Sequence, residues 1–189
     1  MNSVSMKKQA QLDDLKNELL ANEVGAAMKN DATQLVFGVG SPSAKIVFIG
    51  EAPGKKEDEL GEPFVGASGK FLNELLFSIG MSRDEVYITN IVKYRPLGNR
   101  DPSKQEKTEF WPYLMRQIEI IQPTVIVTLG RHSMMQFLPD AKIGEVHGEK
   151  VTLENDVVLV PLYHPAAAMY NGKLRQTLID DFAKLKSYL

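Results

Sequence analysis

The sequence predicts an α/β fold, a three-layer α/β/α sandwich in which helices cover both faces of a short, mainly parallel sheet. Short apolar runs bounded by turn residues alternate with longer segments whose apolar residues recur at helical spacing. Polar loops rich in glycine and proline follow several of these apolar runs. Such alternation favours parallel strands joined by right-handed helical crossovers, because each returning helix packs on a face of the sheet.

The composition is that of an ordinary globular protein: of 189 residues, 43% are hydrophobic and 24% are charged. We expect a single domain over residues 1–189, of which residues 1–35 form an N-terminal helical segment. The net charge of −2 gives no general attraction for nucleic acid, so any such binding requires a local basic face. The absence of cysteine excludes disulfides, thiolate catalysis and cysteine-held zinc or iron–sulfur sites. No apolar run approaches transmembrane length and the first residues are not those of a secretory signal, so we expect a cytoplasmic protein.

The first half of the chain contains two predicted helices and two predicted strands. Residues 5–29 place leucines at helical spacing among charges, which is typical of an amphipathic helix. Residues 44–50 are the first buried strand, because the run is short, apolar and bounded by turn residues. After a glycine- and proline-rich loop, Ser68 is expected to cap a helix that ends at Gly80. Residues 86–92 are the second strand.

The second half is predicted to continue the alternation. A helix from Ser103 to near Pro123 leads into a third buried strand over residues 124–129, and another helix begins at Gly130.

Two further apolar runs and one helix complete the chain. Residues 150–153 and 157–162, separated by Asn155 and Asp156, predict a hairpin or two short strands. The last helix is expected over residues 172–189.

Polar side chains lie at or near the ends of three predicted strands. Glu51 comes directly after the first strand, Asn90 lies in the second, and His164 follows the last. The carboxyl ends of parallel strands meet at one edge of the sheet, where open α/β sheets bind ligands, so we expect these side chains to converge. An amide can read a pyrimidine edge, an aromatic ring can stack on an extruded base, and an imidazole can donate to a carbonyl oxygen that gains charge. With a carboxylate that orients water, this set fits the cleavage of an N-glycosidic bond.

These residues lie in segments that strongly resemble the motifs of the family 4 uracil-DNA glycosylases. The matching segments keep their order and separation from about residue 36 to the C-terminal helix: Gly50-Glu51-Ala52-Pro53-Gly54, Glu57-Asp58, Gly61, Pro63-Phe64-Val65-Gly66, Thr89-Asn90-Ile91-Val92-Lys93, Arg95-Pro96 and His164-Pro165-Ala166-Ala167. The resemblance implies the uracil-DNA glycosylase fold. It also implies an enzyme of base-excision repair that flips deoxyuridine out of DNA, hydrolyses its N-glycosidic bond and releases free uracil, with no metal or cofactor.

The resemblance also implies roles for individual residues. The catalytic residues would be Glu51, which positions water, and His164, which stabilises the charge that develops on uracil O2. The uracil site would consist of the backbone of Ala52 and Pro53, with Glu57 closing the pocket against the thymine methyl group, Phe64 stacking on the base and Asn90 reading its polar edge. Contacts to DNA are expected from Ser68, Lys93, Arg95, Arg100, Met169 and Tyr170, of which the last two occupy the loop that fills the space left by the flipped nucleotide.

The chain departs from the family at one group of positions. Most family members carry an iron–sulfur cluster on four cysteines, and the matching positions here are Glu23, Ala26, Tyr94 and Glu109. We therefore expect no cluster, with apolar packing by Tyr94, Phe110 and Trp111 in its place.

Other interpretations of the same residues stay open at this point. A non-catalytic DNA-binding or regulatory protein would keep this fold, and a small-molecule nucleotide hydrolase would act on free deoxyuridine or nucleotides. The basic residues between 93 and 107 are either a solvated face or phosphate contacts. We expect His132 to be structural or near a phosphate and His147 to lie in a surface loop, since the spacing of the histidines indicates no metal site. The protein is expected to be a monomer.

Overall fold

A sheet of six strands lies at the centre of the computed structural model, which describes residues 3–153 and 156–188. In spatial order the strands are β1, β3, β2, β4, β6 and β5, at Val39–Gly40, Tyr87–Asn90, Ile46–Gly50, Val125–Leu129, Val158–Leu162 and Val151–Thr152. The four central strands are parallel, whereas β1 and β5 pair antiparallel at the two edges. The prediction of a mainly parallel sheet is therefore confirmed.

Helices fill most of the remaining described chain. They are α1 (Ser3–Ala21), α2 (Ala26–Lys29), α3 (Lys55–Leu60), α4 (Ala67–Ser78), α5 (Lys104–Ile121), α6 (Arg131–Met134), α7 (Ile143–Val146), α8 (Pro165–Met169) and α9 (Gly172–Leu185). Short 3₁₀ turns occupy Arg83–Glu85, Leu97–Asn99 and Lys186–Tyr188. Within residues 3–153 and 156–188, no helix is long and apolar enough to cross a membrane.

Side chains of the central strands alternate between two apolar cores, one on each face of the sheet, because successive residues of a strand point to opposite sides. In β2, Ile46 and Phe48 join the core formed with α4 and α9, whereas Val47 and Ile49 join the core formed with α1 and α5. The ring of Phe48 stacks on that of Phe182 in α9, with centroids 5.8 Å apart. Helices thus cover both faces, as the predicted three-layer sandwich requires.

The N-terminal helix is shorter than predicted. Instead of one helix over residues 5–29, α1 ends at Ala21 and α2 begins at Ala26. Between them, Glu23 and Gly25 have φ angles of 51° and 71°. This left-handed conformation ends a right-handed helix, and a leucine pattern that continues past the break does not reveal it.

Other boundaries also differ from the sequence prediction. Ser68 does not cap a helix, because Gly66 is the N-cap residue and α4 begins at Ala67, which places Ser68 in the first turn. The hairpin prediction is supported by the antiparallel pairing of β5 and β6, although Asn155 of its turn lies outside the described residues. The last helix ends at Leu185, and Leu189 also lies outside the described residues.

Aromatic side chains fill the region where the family resemblance places an iron–sulfur cluster. Tyr94 and Phe110 are buried, and their rings meet edge to face with centroids 6.1 Å apart. A Cβ atom on Gly25 would collide with the Phe110 ring, so the turn before α2 packs directly on it. Trp111 packs on Phe137 instead, at a centroid distance of 5.1 Å. With no thiolate at the four matching positions and the packed rings of Tyr94 and Phe110 in this region, these residues do not fit an iron–sulfur cluster.

Candidate active site

The carboxyl ends of the parallel strands bring together the polar side chains that the sequence analysis singled out. Asn90 is the last residue of β3 and pairs in register with Gly50, the residue before Glu51. His164 lies two residues beyond the end of β6, and it is the N-cap residue of α8. The predicted convergence at one edge of the sheet is thus present in the structure.

A small pocket lies at this edge, with a volume of about 150 Å³. A dry cavity of about this size in another protein binds benzene, so the pocket has the dimensions for a single six-membered ring. The rings of Phe64 and His164 both line it, with centroids 5.5 Å apart and planes tilted by 30°. Its lining residues are Ala52, Gly54, Glu57, Phe64, Ser68, Asn90 and His164.

The Phe64 ring is held in the pocket by an unusual backbone conformation. Phe64 is buried and has a φ of 54°, a left-handed conformation that is costly for a bulky residue and persists only where its surroundings enforce it. Arg83 donates from Nη1 to the Phe64 carbonyl at 3.0 Å and from Nη2 to the carbonyl of Pro63. A Cβ on Gly69 would collide with the same Phe64 carbonyl, so glycine is required there. The loop is therefore fixed before any ligand binds.

Glu57 holds the other side of this loop. Its Oε1 accepts hydrogen bonds from the backbone N–H groups of Val65 at 2.9 Å and Gly66 at 2.8 Å. The side chain is buried and lines the pocket. This carboxylate is consequently fixed against the pocket wall by two backbone donors.

The imidazole of His164 is prepared to donate a hydrogen bond from Nε2. Its Nδ1 accepts a hydrogen bond from the backbone N–H of Ala166 at 3.1 Å, which places the proton of the neutral ring on Nε2. Burial lowers the pKa of His164 to about 4, although the nearby Glu57 carboxylate raises it. At neutral pH the ring is therefore an uncharged donor.

A larger cavity of about 580 Å³ adjoins the small pocket. Ala52, Gly54 and His164 line both cavities, so the imidazole stands at their boundary. The polar residues that line the larger cavity include Glu51, Asn99, Arg100, Asp101, Arg131 and His132. Glu51 thus faces the space outside the small pocket rather than its interior.

One oxygen of Glu51 lacks a hydrogen bond. Oε1 is buried and accepts none from residues 3–153 or 156–188. Burial is the main cause that raises the pKa of Glu51, and Asp101 adds to it, whereas His132, Lys107 and Arg131 lower it. Perturbation of a carboxylate by burial and specific neighbours in a cleft is typical of a catalytic group.

Three side chains of metal-ligating types meet in the same region. Among the described residues, Glu51, Asp101 and His132 have ligand atoms that all lie within 4.8 Å of one another. Lys107 Nζ lies 3.9 Å from Glu51 Oε1, so a bound cation would meet a like charge there.

The placement of Lys93 contradicts its predicted contact with DNA. The side chain is fully buried, with Nζ donating to Thr89 Oγ1 at 2.6 Å, Asn90 O at 2.7 Å and Gln117 Oε1 at 2.6 Å. Burial lowers the pKa of Lys93 well below its ordinary value. Its hydrogen bond to Asn90 O instead supports the strand end that presents the Asn90 side chain.

The other residues predicted to contact DNA are more accessible. Arg95 is half-buried and donates to Asn99, and exposed Arg100 pairs with Glu106 at 2.6 Å. Met169 and Tyr170 are 41% and 91% exposed at the end of α8, the short helix that begins after His164. Ser68 lines the small pocket.

Sequence reasoning missed two groups of site residues. Arg83 gave no signal, because its hydrogen bonds join it to carbonyls about twenty residues earlier in the chain. Arg131 and His132 did give a signal, since they follow β4 at the same edge of the sheet as Glu51, but the sequence offered no partner for them.

Comparison with known proteins places the whole site within one matched region. The model of the uracil DNA glycosylase superfamily matches residues 37–186. The type-4 uracil-DNA glycosylase of Sulfurisphaera tokodaii is 48% identical over 165 residues, 82% of this chain and 74% of that protein. The enzyme of the same name from Archaeoglobus fulgidus is 44% identical over 183 residues, 92% of this chain and 91% of that protein. For the Thermotoga maritima type-4 uracil-DNA glycosylase, the identity is 35% over 188 residues, 97% of this chain and 98% of that protein.

Proposed function

Because this chain belongs to the uracil DNA glycosylase superfamily, we propose that it is a uracil-DNA glycosylase, which hydrolyses the N-glycosidic bond of deoxyuridine in DNA. The observation that carries this proposal is the pocket for one six-membered ring, lined by Phe64, Asn90 and His164 and bordered by the cavity of Glu51. The product would be free uracil and an abasic site, as in DNA base-excision repair.

Recognition requires the deoxyuridine to leave the base stack, because the glycosidic bond is out of reach within a duplex. In the pocket, the uracil ring stacks on Phe64 and the Asn90 amide pairs with its polar edge. Glu57, fixed by two backbone N–H groups, closes the pocket against the methyl group of thymine. The rigid loop supports this selectivity, since a wall that cannot move cannot accommodate the additional carbon.

Different residues stabilise the two charges that develop as the glycosidic bond breaks. As the bond between C1′ and N1 breaks, its electron pair leaves with uracil, and the Nε2–H of neutral His164 donates to O2, where negative charge develops. Glu51 orients a water molecule towards C1′ and offsets the positive charge of the sugar. The water oxygen forms the new bond to C1′, and Glu51 accepts its proton.

Contact with the DNA outside the pocket is assigned to residues near its entrance. Arg95 and Arg100 contact phosphates, Ser68 contacts the backbone of the flipped nucleotide, and Met169 with Tyr170 fills the space that this nucleotide leaves. We also propose that the protein acts as a monomer. We place the enzyme in the cytoplasm with its DNA substrate.

The test is strand scission at a single uracil. Labelled oligonucleotides that contain one uracil, thymine or cytosine at the same position are incubated with the purified protein and then cleaved with alkali at abasic sites. Scission of the uracil strand alone is expected. Tight DNA binding without scission would instead identify a non-catalytic DNA-binding protein, and release of uracil from free deoxyuridine with no preference for DNA would identify a nucleotide hydrolase.

A further inference from the structure

We infer that His132 is a positioning residue for the proposed reaction, holding the Glu51 carboxylate through its Nδ1–H. The inference rests on the proposed function, since that function gives Glu51 the task of orienting water. None of the sequence motifs that resemble family 4 includes His132.

The imidazole lies between two carboxylates, one on each of its nitrogens. His132 Nδ1 is 3.5 Å from Glu51 Oε1, and Nε2 is 3.6 Å from Asp101 Oδ2. Arg131 donates from Nε to His132 Nε2 at 3.1 Å. In a neutral imidazole Nε2 is therefore the acceptor, and Nδ1 carries the proton that faces Glu51.

The oxygen that faces His132 is the one without a hydrogen bond. Glu51 Oε1 is buried and accepts no hydrogen bond from the described part of the chain, and an unpaired buried acceptor is costly. The 3.5 Å separation is longer than a hydrogen bond, but contacts in an active site commonly tighten when substrate binds. A small movement of either side chain gives this oxygen its donor.

The fold specifies the position of His132 as firmly as that of the other site residues. β4 lies beside β2, and Gly130, with a φ of 98°, turns the chain from the end of β4 into α6. A Cβ on Gly130 would lie only 3.1 Å from the Cβ of His164, so this turn packs against the catalytic imidazole. His132 therefore reaches Glu51 from the same sheet edge.

The charges around Glu51 explain why such a partner matters. Glu51 must be ionised to accept a proton from water, and burial favours its protonated form. The attraction of a protonated His132 is the foremost influence that opposes burial, followed by Lys107 and Arg131, whereas Asp101 acts in the other direction. The neutral ring also presents its Nδ1–H to the carboxylate and so favours the ionised form. Removal of His132 therefore raises the pKa of Glu51 further, and the active ionised form is lost at a higher pH.

The experiment compares His132→Leu and His132→Asn with the wild type. Single-turnover rates on a uracil oligonucleotide are measured between about pH 5 and pH 9. Affinity is measured with a 2′-fluoro-deoxyuridine oligonucleotide, whose glycosidic bond resists hydrolysis. The matched control is His147→Asn, because His147 is similarly exposed (26% against 28%) and also pairs with a carboxylate, Asp181, outside both cavities. Thermal unfolding of all variants is recorded alongside.

We expect the acid limb of the rate profile to move to higher pH in His132→Leu, with a roughly tenfold loss of rate at the acid end and unchanged affinity. His132→Asn should restore much of the wild-type profile, because its amide N–H can replace Nδ1–H. The control should keep the wild-type profile even if its stability falls.

Two results would overturn the inference: an unshifted acid limb in His132→Leu, or an equal loss in His132→Leu and His132→Asn at every pH. Failure of the proposed function is distinguishable, since the wild type itself would then release no uracil.

Discussion

The protonation state of His164 determines what this residue can do at the scale of a single side chain. With Nδ1 occupied by the N–H of Ala166 and a pKa lowered to about 4 by burial, the ring is a neutral donor throughout the physiological range. A neutral donor can stabilise a developing anion without protonating it, so uracil leaves as an anion. A protonated imidazole in this position would be unfavourable, because burial removes the water that solvates its charge.

Replacement of His164 by Ala is expected to lower the single-turnover rate roughly 100-fold or more, as for the loss of one oxyanion donor, with little loss of fold stability. His164→Gln, which can donate from its amide, should retain more activity than Ala. Because the pKa of His164 is about 4, protonation of this ring should not reduce the rate above about pH 5. A large loss of thermal stability with normal turnover in His164→Ala would contradict this assignment.

Lys93 has a structural role that its charge alone does not suggest. An ammonium group has three donors, and Lys93 directs them at three acceptors, on Thr89, Asn90 and Gln117. Lys93→Met is therefore expected to lower the free energy of unfolding by about 3 kcal/mol, because it leaves buried acceptors unpaired. Exposed Lys104 provides the control, and Lys104→Met should be nearly neutral.

The measurements are urea denaturation and the dependence of DNA affinity on salt. If Lys93 bound a phosphate, its removal would lower by about one the number of counterions released on DNA binding, which is measured as the slope of log affinity against log salt concentration. We expect no such reduction in the folded Lys93→Met protein. A reduction of this size would show that Lys93 contacts a DNA phosphate despite its burial.

At the scale of elements, the loop over residues 61–66 is stabilised from both sides before substrate arrives. Glu57 accepts from two of its N–H groups, and Arg83 donates to the carbonyls of Pro63 and Phe64. The left-handed conformation of Phe64 shows that these contacts outweigh local backbone preference. A ring fixed in this way spends less conformational entropy when a base stacks on it.

Arg83→Met is expected to weaken binding of the 2′-fluoro-deoxyuridine oligonucleotide about tenfold, since stacking on an aromatic ring contributes roughly 1–3 kcal/mol per base. The control is Arg116→Met, because Arg116 pairs with Glu18 of α1 and lines neither cavity of the site. Equal affinity in the two variants would show that Phe64 keeps its conformation without Arg83.

The four parallel strands could be predicted from the sequence, because β2, β3, β4 and β6 lie within short apolar runs whose polar successors mark the sheet edge. The predictions that failed depend on contacts between residues that are distant in sequence. Lys93 looks solvated until Gln117 is placed beside it, and the contact between Glu51 and His132 spans more than eighty residues. The N-cap of α4 was missed by two residues, because a backbone turn at Gly66, rather than the Ser68 side chain, precedes the helix.

At the scale of the whole molecule, the N-terminal helices are part of the same packed unit as the sheet. Leu12, Leu15 and Leu19 of α1 are almost fully buried in the core on the side of α5. Phe110 of α5 extends that core to Gly25 and Tyr94. We therefore propose that residues 1–35 belong to the same domain as the site and are held there mainly by apolar packing, to which polar contacts such as the ion pair between Glu18 and Arg116 are added.

This proposal predicts that Phe110→Ala lowers the free energy of unfolding by about 3–5 kcal/mol, because it leaves a cavity among buried rings. For a protein of this size, the thermal midpoint should fall by roughly 10 °C. Phe77→Ala is the matched control, since Phe77 is 83% exposed and the same substitution there removes little buried surface. Iron chelators should leave the midpoint of the wild type unchanged, because the chain contains no cysteine thiolate that could hold a cluster. Equal midpoints in the two variants, or a wild type that chelators destabilise, would mean that something other than aromatic packing holds the N-terminal helices against the sheet.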